Sequence, residues 1–190
     1  MRVITGTARG RKLQEPTGAA IRPTSDMVKE SLFSIIQFDI EGRRVLDLFA
    51  GTGQLGIEAL SRGAASAVFV DDSPEAVKLI RANLKRCDFV GEVVLGDALR
   101  YLERCNPFDL IFIDPPYDTK LGDRALQKIY EFDILSNGGI IVCESTSEKV
   151  MPELDAPYFK RREYRYGKTK LTAYGKGGNK NEDGDFLGEF

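Results

Sequence analysis

Residues 47–56 read DLFAGTGQLG, entered from the short apolar run Val45–Phe49, which only Asp47 interrupts. The run predicts a strand. Gly51, Gly53 and Gly56 then follow the spacing G-x-G-x-x-G, and Gln54–Arg62 predicts a helix that stops at Gly63. Strand, glycine turn and helix in that order form the first half of a βαβ unit. Such a turn lets the backbone approach a ligand closely, and the helix N-terminus beyond it favours an anionic group.

Four more apolar runs lie outward from this unit: Ala67–Val70, Val93–Leu95, Leu110–Ile113 and Ile140–Cys143. Each is short and continuous, the pattern of a strand buried on both faces of a parallel sheet. Helices are expected between them, at Pro74–Arg86 with Ser73 as cap and at Leu121–Phe132. The alternation predicts an open α/β sheet. Upstream, Arg2–Leu13 reads as a short hairpin, and a helix capped by Thr24 or Ser25 carries Val28, Leu32, Ile35 and Ile36 on one side. Downstream, Arg162–Tyr166 and Lys170–Tyr174 flank Gly167 as a closing hairpin. The expected organisation is a basic N-terminal hairpin over 1–24, a main domain over 25–175 and an acidic, Gly- and Asn-rich mobile tail over 176–190.

At 190 residues, with 42% hydrophobic and 29% charged residues, the chain suits one soluble domain and no membrane span. There are no histidines, which excludes Ser-His and Cys-His nucleophiles and histidine metal ligands. Cys87, Cys105 and Cys143 are scattered without metal spacing, so no metal is expected and reduced thiols in a cytoplasm are the default. The net charge of -2 hides an asymmetry. Arg2, Arg9, Arg11, Lys12 and Arg22 stand against Glu15 in the first 24 residues. Lys160, Arg161, Arg162, Arg165, Lys168 and Lys170 stand against Glu163 in 160–170. An acidic body between two basic segments suits a polyanion binder with a separate catalytic centre.

Acids recur at the strand ends: Asp47 within the first, Asp71 and Asp72 after the second, Asp97 after the third, Asp114 after the fourth. In a parallel sheet these ends share one crevice. The glycine loop alone serves a nicotinamide cofactor or S-adenosylmethionine. A carboxylate inside the first strand favours the latter, whose ammonium and sulfonium want nearby anions. Asp114-Pro115-Pro116-Tyr117 then points to amine chemistry. An exocyclic amine is a poor nucleophile because its lone pair is delocalised. The Asp114 carboxylate and the Pro115 carbonyl supply two acceptors for its hydrogens, and proline holds that carbonyl rigidly. Tyr117 offers a face for an unstacked base.

DLFAGTG, GDA and DPPY resemble the motifs of S-adenosylmethionine-dependent amino-methyltransferases. RVITGTARGRKL, RPTSDMVKESLF, LGIEALSRGA and FDLIFIDPPY resemble the bacterial RsmD family, collinearly over residues 1–175. That resemblance implies a Rossmann-like class I methyltransferase fold with a seven-stranded, mostly parallel sheet, a C-terminal antiparallel hairpin and a small N-terminal β-hairpin. It implies a monomer that methylates N2 of a guanine, nucleotide 966, in 16S ribosomal RNA, in the small subunit or an assembly intermediate. Asp47, Phe49, Ala50, Gly51 and Gly53 would line the methionine part of the cofactor, Asp71 or Asp72 the ribose, and Asp97 with Ala98 the adenine. Asp114 to Tyr117 would hold the amine, and Arg2, Arg9, Arg11, Lys12 and Arg22 would meet RNA. DNA and protein-glutamine amino-methyltransferases share the D-P-P-Y chemistry. A nicotinamide oxidoreductase leaves it unexplained, and a silent RNA-binding module leaves the whole motif set unexplained.

Overall fold

A computed structural model of the chain describes residues 1–16, 26–116 and 119–177. Arg22, Tyr117, the caps expected at Thr24 or Ser25, and residues 178–190 of the expected tail lie outside the described residues. The elements run α1 (Asp26–Ile35), β1 (Arg44–Leu48), α2 (Gln54–Ser61), β2 (Ser66–Asp71), α3 (Pro74–Cys87) and β3 (Glu92–Leu95). They continue with α4 (Ala98–Leu102), β4 (Phe108–Ile113), α5 (Leu121–Glu131), β5 (Leu135–Thr146), β6 (Tyr158–Tyr166) and β7 (Thr169–Lys176). One seven-stranded sheet has the order β3-β2-β1-β4-β5-β7-β6. β1 to β5 are parallel, and β7 runs antiparallel to both β5 and β6.

Side chains alternate between two cores, as the period of two along a strand requires. Val45, Leu110, Phe112, Ile140 and Val142 pack with α1, α2 and α3 on one face; Leu46, Ile111, Ile113, Ile141 and Cys143 pack with α4 and α5 on the other. The apolar runs are therefore continuous because both faces are covered. The exception is Val93–Leu95. As β3 it forms the sheet edge, no residue of it is fully buried, and Leu95 is 54% exposed. Burial on both faces was expected of this run; hydrophobicity alone does not separate an edge strand from a central one. The five-residue α4 was not legible at all, being too short to show a helical period.

The expected N-terminal hairpin is a tight loop closed by a single antiparallel bridge, Arg2 to Lys12. It docks on α2 through groups that the sequence reading missed. Buried Glu58 accepts from the Ile4 N–H at 2.7 Å, the Thr5 N–H at 2.9 Å and Arg62 Nε at 2.9 Å. Ser61 donates to the Thr5 carbonyl and accepts from the Ala8 N–H. A Cβ at Gly6 would lie 1.7 Å from the Ser61 carbonyl oxygen, so only glycine permits this approach. Lys29 on α1 is fully buried; its ammonium donates to the Arg2 carbonyl and lies 3.8 Å from Glu58. Burial lowers the Lys29 pKa, and the Glu58 charge opposes that shift. Asn83 on α3 completes the attachment. It accepts from the Gln14 N–H and donates to the carbonyls of Gln14 and Thr52, which ties the arm to the glycine loop.

Removing one member of a buried ionic network leaves the others uncompensated, at about 3–5 kcal/mol. Glu58→Ala is expected to lose stability of that order in urea denaturation. A loss below about 1 kcal/mol would show that the network does not hold the arm.

Candidate functional site

The strand order reverses between β1 and β4, whose carboxyl ends open a crevice of the kind in which α/β sheets bind ligands. β1 reaches it through Asp47, whose partners in register are Phe69 on β2 and Phe112 on β4, both fully buried. Asp47 is itself 1% exposed. Its carboxylate accepts from the Gly56 N–H at 2.9 Å, in the first turn of α2, at the positive end of that helix. Burial pushes its pKa well above the usual carboxylate range; the Gly56 N–H opposes this, and the Asp114 and Asp71 charges add to it. A Cβ at Gly56 would stand 2.3 Å from the Phe69 ring, so the third glycine of the motif lets α2 lie against the sheet.

Between Asp47 and α2 the chain makes a sharp turn. Phe49 has φ +60°, Gly51 +55° and Gly53 +76°. A left-handed phenylalanine costs on the order of 1–3 kcal/mol and persists where its surroundings over-determine it. Here Asp71 does so: its Oδ2 accepts from the Gly51 N–H at 2.8 Å and its Oδ1 from the Ser73 N–H at 2.9 Å. Asp72 is exposed. Asp97 is exposed and caps α4, accepting from the Arg100 N–H at 2.8 Å, with Ala98 buried behind it. Acids clustered at the strand ends need a positive or donor-rich partner. For Asp47, Asp71 and Asp97, backbone N–H groups fill much of that need.

Pairing of Leu48 with Val70 and Ile113 fixes the rim. Phe49, Asp71 and Asp114 are the next residues of their chains after this row, and the Asp71 and Asp114 charges both act on Asp47. Asp114 is half-buried, and so is Pro115. A Cβ on Gly122, at the start of α5, would come within 3.1 Å of the Pro115 ring, so α5 backs the proline directly. The loop, Asp71 and Asp114 thus meet at the switch point. Arg2, Arg9, Arg11 and Lys12 do not; they are exposed on the arm. Arg11 is held by Asp88 and the Arg86 carbonyl, both at 2.6 Å.

Among the described residues no cluster of three or more His, Cys, Asp or Glu could hold a metal ion, and no helix is long and apolar enough to cross a membrane. The three cysteines are unpaired thiols.

A sheet of this order, with β7 entering antiparallel between β5 and β6, has the Rossmann-like class I methyltransferase fold. Residues 1–175 match the family described as Conserved hypothetical protein 95, and the chain belongs to it. It is 33% identical over 189 residues to Ribosomal RNA small subunit methyltransferase D of Escherichia coli (strain K12), covering 97% of this chain and 94% of that protein. It is 41% identical over 184 residues to YlbH of Bacillus subtilis (strain 168), covering 94% of this chain and all of that one. The solved structure of yhhF from Escherichia coli superposes with a TM-score of 0.84 at 32% identity, covering 93% of this chain and 97% of that chain. The relationship read from the motifs is therefore the one found.

The raised pKa of Asp47 has a sign. A carboxyl whose folded-state pKa exceeds its unfolded value favours folding below the ordinary range and loses that contribution as pH rises through the folded value. Asp47→Asn keeps an acceptor for Gly56 and removes the buried charge. Its melting temperature is expected to rise relative to wild type from about pH 4 upward. A difference independent of pH would contradict the buried-carboxyl account.

Proposed function

We propose that the protein transfers the methyl group of S-adenosylmethionine to the N2 amine of a guanine in small-subunit ribosomal RNA, the nucleotide at position 966. The observation that carries this reading is the juxtaposition of Asp114-Pro115 with the glycine loop across the switch point. The name of the E. coli relative supports the RNA substrate.

The loop fits the cofactor on two counts. Its left-handed glycines bare the backbone at the helix mouth, and a Cβ on Gly53 would press against Ile80 at 3.3 Å. Gln54, next in sequence, is buried with its Oε1 lacking a hydrogen-bond partner among the described residues, an acceptor suited to an ammonium. When bound, the cofactor supplies an electrophilic methyl on a sulfonium. Asp47, Phe49, Ala50, Gly51 and Gly53 line its methionine part, and Asp97 with Ala98 meets the adenine. Asp71 holds the ribose in preference to Asp72, because its carboxylate already touches the loop.

On the other side, the Asp114 carboxylate and the Pro115 carbonyl accept the two amine hydrogens and turn the nitrogen lone pair toward the cofactor. Pro115 has no N–H to compete and is backed by α5, so the carbonyl direction is fixed before the base arrives. Asp114 also takes up the proton that the amine sheds once methylated. Pro116 stiffens the loop, and Tyr117 supplies a ring for the extruded base. Catalysis of this kind is positioning, for which effective-molarity arguments allow up to about 7–11 kcal/mol. Arg2, Arg9, Arg11, Lys12 and Arg22 contact RNA phosphates. The protein acts as a monomer in the cytoplasm.

The test supplies labelled S-adenosylmethionine with ribosomal RNA, small subunits, DNA and release factors in parallel, followed by nucleoside mass spectrometry. N2-methylguanine from small-subunit material alone is expected; label only in DNA or protein overturns the reading. Asp114→Ala is expected to abolish transfer while cofactor affinity stays within a few-fold. Near-normal turnover by that variant would contradict the amine-holding role.

A further inference from the structure

We infer that the edge strand β6 and its turn into β7 form a second RNA-contacting surface, on the side from which the target base enters. The inference rests on the RNA substrate proposed above. The basic stretch 160–170 found no use in the site, and the structure divides its six cations into two groups. Lys160 and Lys170 are turned inward: Lys160 pairs with Glu153 at 2.5 Å and Glu163 at 3.8 Å, and buried Lys170 with Glu163 at 3.4 Å and the Lys149 carbonyl. The single acid of the stretch is thereby neutralised. Arg161, Arg162, Arg165 and Lys168 are exposed and form no ion pair among the described residues.

Their position is set by register. Ile113 pairs with Cys143, so Asp114 is level with Glu144, which pairs with Leu171, which pairs with Tyr164. Three strand spacings put Tyr164 about 15 Å from Asp114 along one row. Thr146, at the carboxyl end of β5, pairs with Thr169, and Thr169 with Tyr166, so the Gly167-Lys168 turn stands on the same rim as Asp114. The glycine loop, Asp71 and Asp97 occupy the opposite half, over β1, β2 and β3. A polymer that presents a base to Asp114 while the cofactor fills that half has β5, β7 and β6 open to it beside the target site, in addition to the arm.

Chemistry agrees with position. Tyr164 and Tyr166 are half-buried against the α1-side core, and the Arg162 guanidinium lies 6.0 Å from the Tyr164 ring centroid. A cation beside an aromatic ring, as Arg162 is beside Tyr164, is one means by which proteins hold single-stranded nucleic acid, and Arg165, one residue on, presents its charge from the other face of the same edge strand. Basic residues on an edge strand also discourage pairing with another chain. That role explains the arginines but neither the two tyrosines nor the location of the turn.

The test uses the full chain, naked small-subunit RNA for binding and the accepted substrate for turnover. R162A/R165A/K168A is expected to raise KM for the RNA substrate about tenfold or more with little change in kcat. Each lost phosphate contact should reduce the salt slope of RNA binding by about 0.7–0.9. Affinity for S-adenosylhomocysteine and the melting temperature should stay at wild-type values, and the charge-conserving R162K/R165K/K168R should restore KM. Unchanged KM and salt slope in the alanine variant, with wild type methylating RNA, overturn this surface and leave the proposed function standing. A defect seen with assembled subunits but absent from naked RNA assigns the strand to a protein neighbour and also overturns it. A wild-type chain that neither binds nor methylates RNA overturns both readings.

Discussion

A carboxylate placed inside a parallel strand, between two phenylalanines, is the constraint on which the site is built. Asp47 is buried and accepts from the Gly56 N–H of the helix that follows. That bond fixes the first turn of α2 over the strand from which it came. The loop between them has to reverse within a few residues, and it does so through a left-handed phenylalanine and two left-handed glycines. Asp71 then holds the loop from the neighbouring strand. Two acids, both drawn to backbone donors, thus shape the backbone that a cofactor would meet.

The same helix serves a second purpose. Its outer side carries Glu58, Ser61 and Arg62, which receive the N-terminal arm and α1, while Asn83 joins the arm to the loop carbonyl of Thr52. Arg62 also lies over the Phe33 ring at 4.6 Å, and Phe33 meets Phe112 edge-on beneath it. The arm is consequently part of the same packed body as the loop, with Val3, Ala8 and Leu13 in the α1-side core. A displacement of the arm would be felt at Thr52, inside the turn itself.

Local features were legible in the sequence. The glycine loop, the strand that precedes it, the Ser73 cap of α3 and the D-P-P turn each depend on neighbours within a few residues, and so they can be read from spacing. Features with distant partners were not. Glu58 bonds to Ile4 and Thr5, more than fifty positions away, and Lys29 looks like a solvated residue until α1 is packed. The strand-end acids were recognised as a group, but the bond from the Gly51 N–H to Asp71, twenty positions on, depends on the pairing of β1 with β2. The basic stretch near the C-terminus was noticed as charge only. Which of its cations face inward follows from the pairing of β6 with β7 and from Glu163.

The claim that joins these parts is that the switch point divides into a cofactor half and an amine half. A crystal structure of the protein with S-adenosylhomocysteine tests it most directly. The account predicts the ligand across the carboxyl ends of β1, β2 and β3, touching Gly51, Gly53 and Asp71, with the space beside Asp114 and Pro115 left open. A ligand seated on the Asp114 side, or away from the glycine loop altogether, would contradict it.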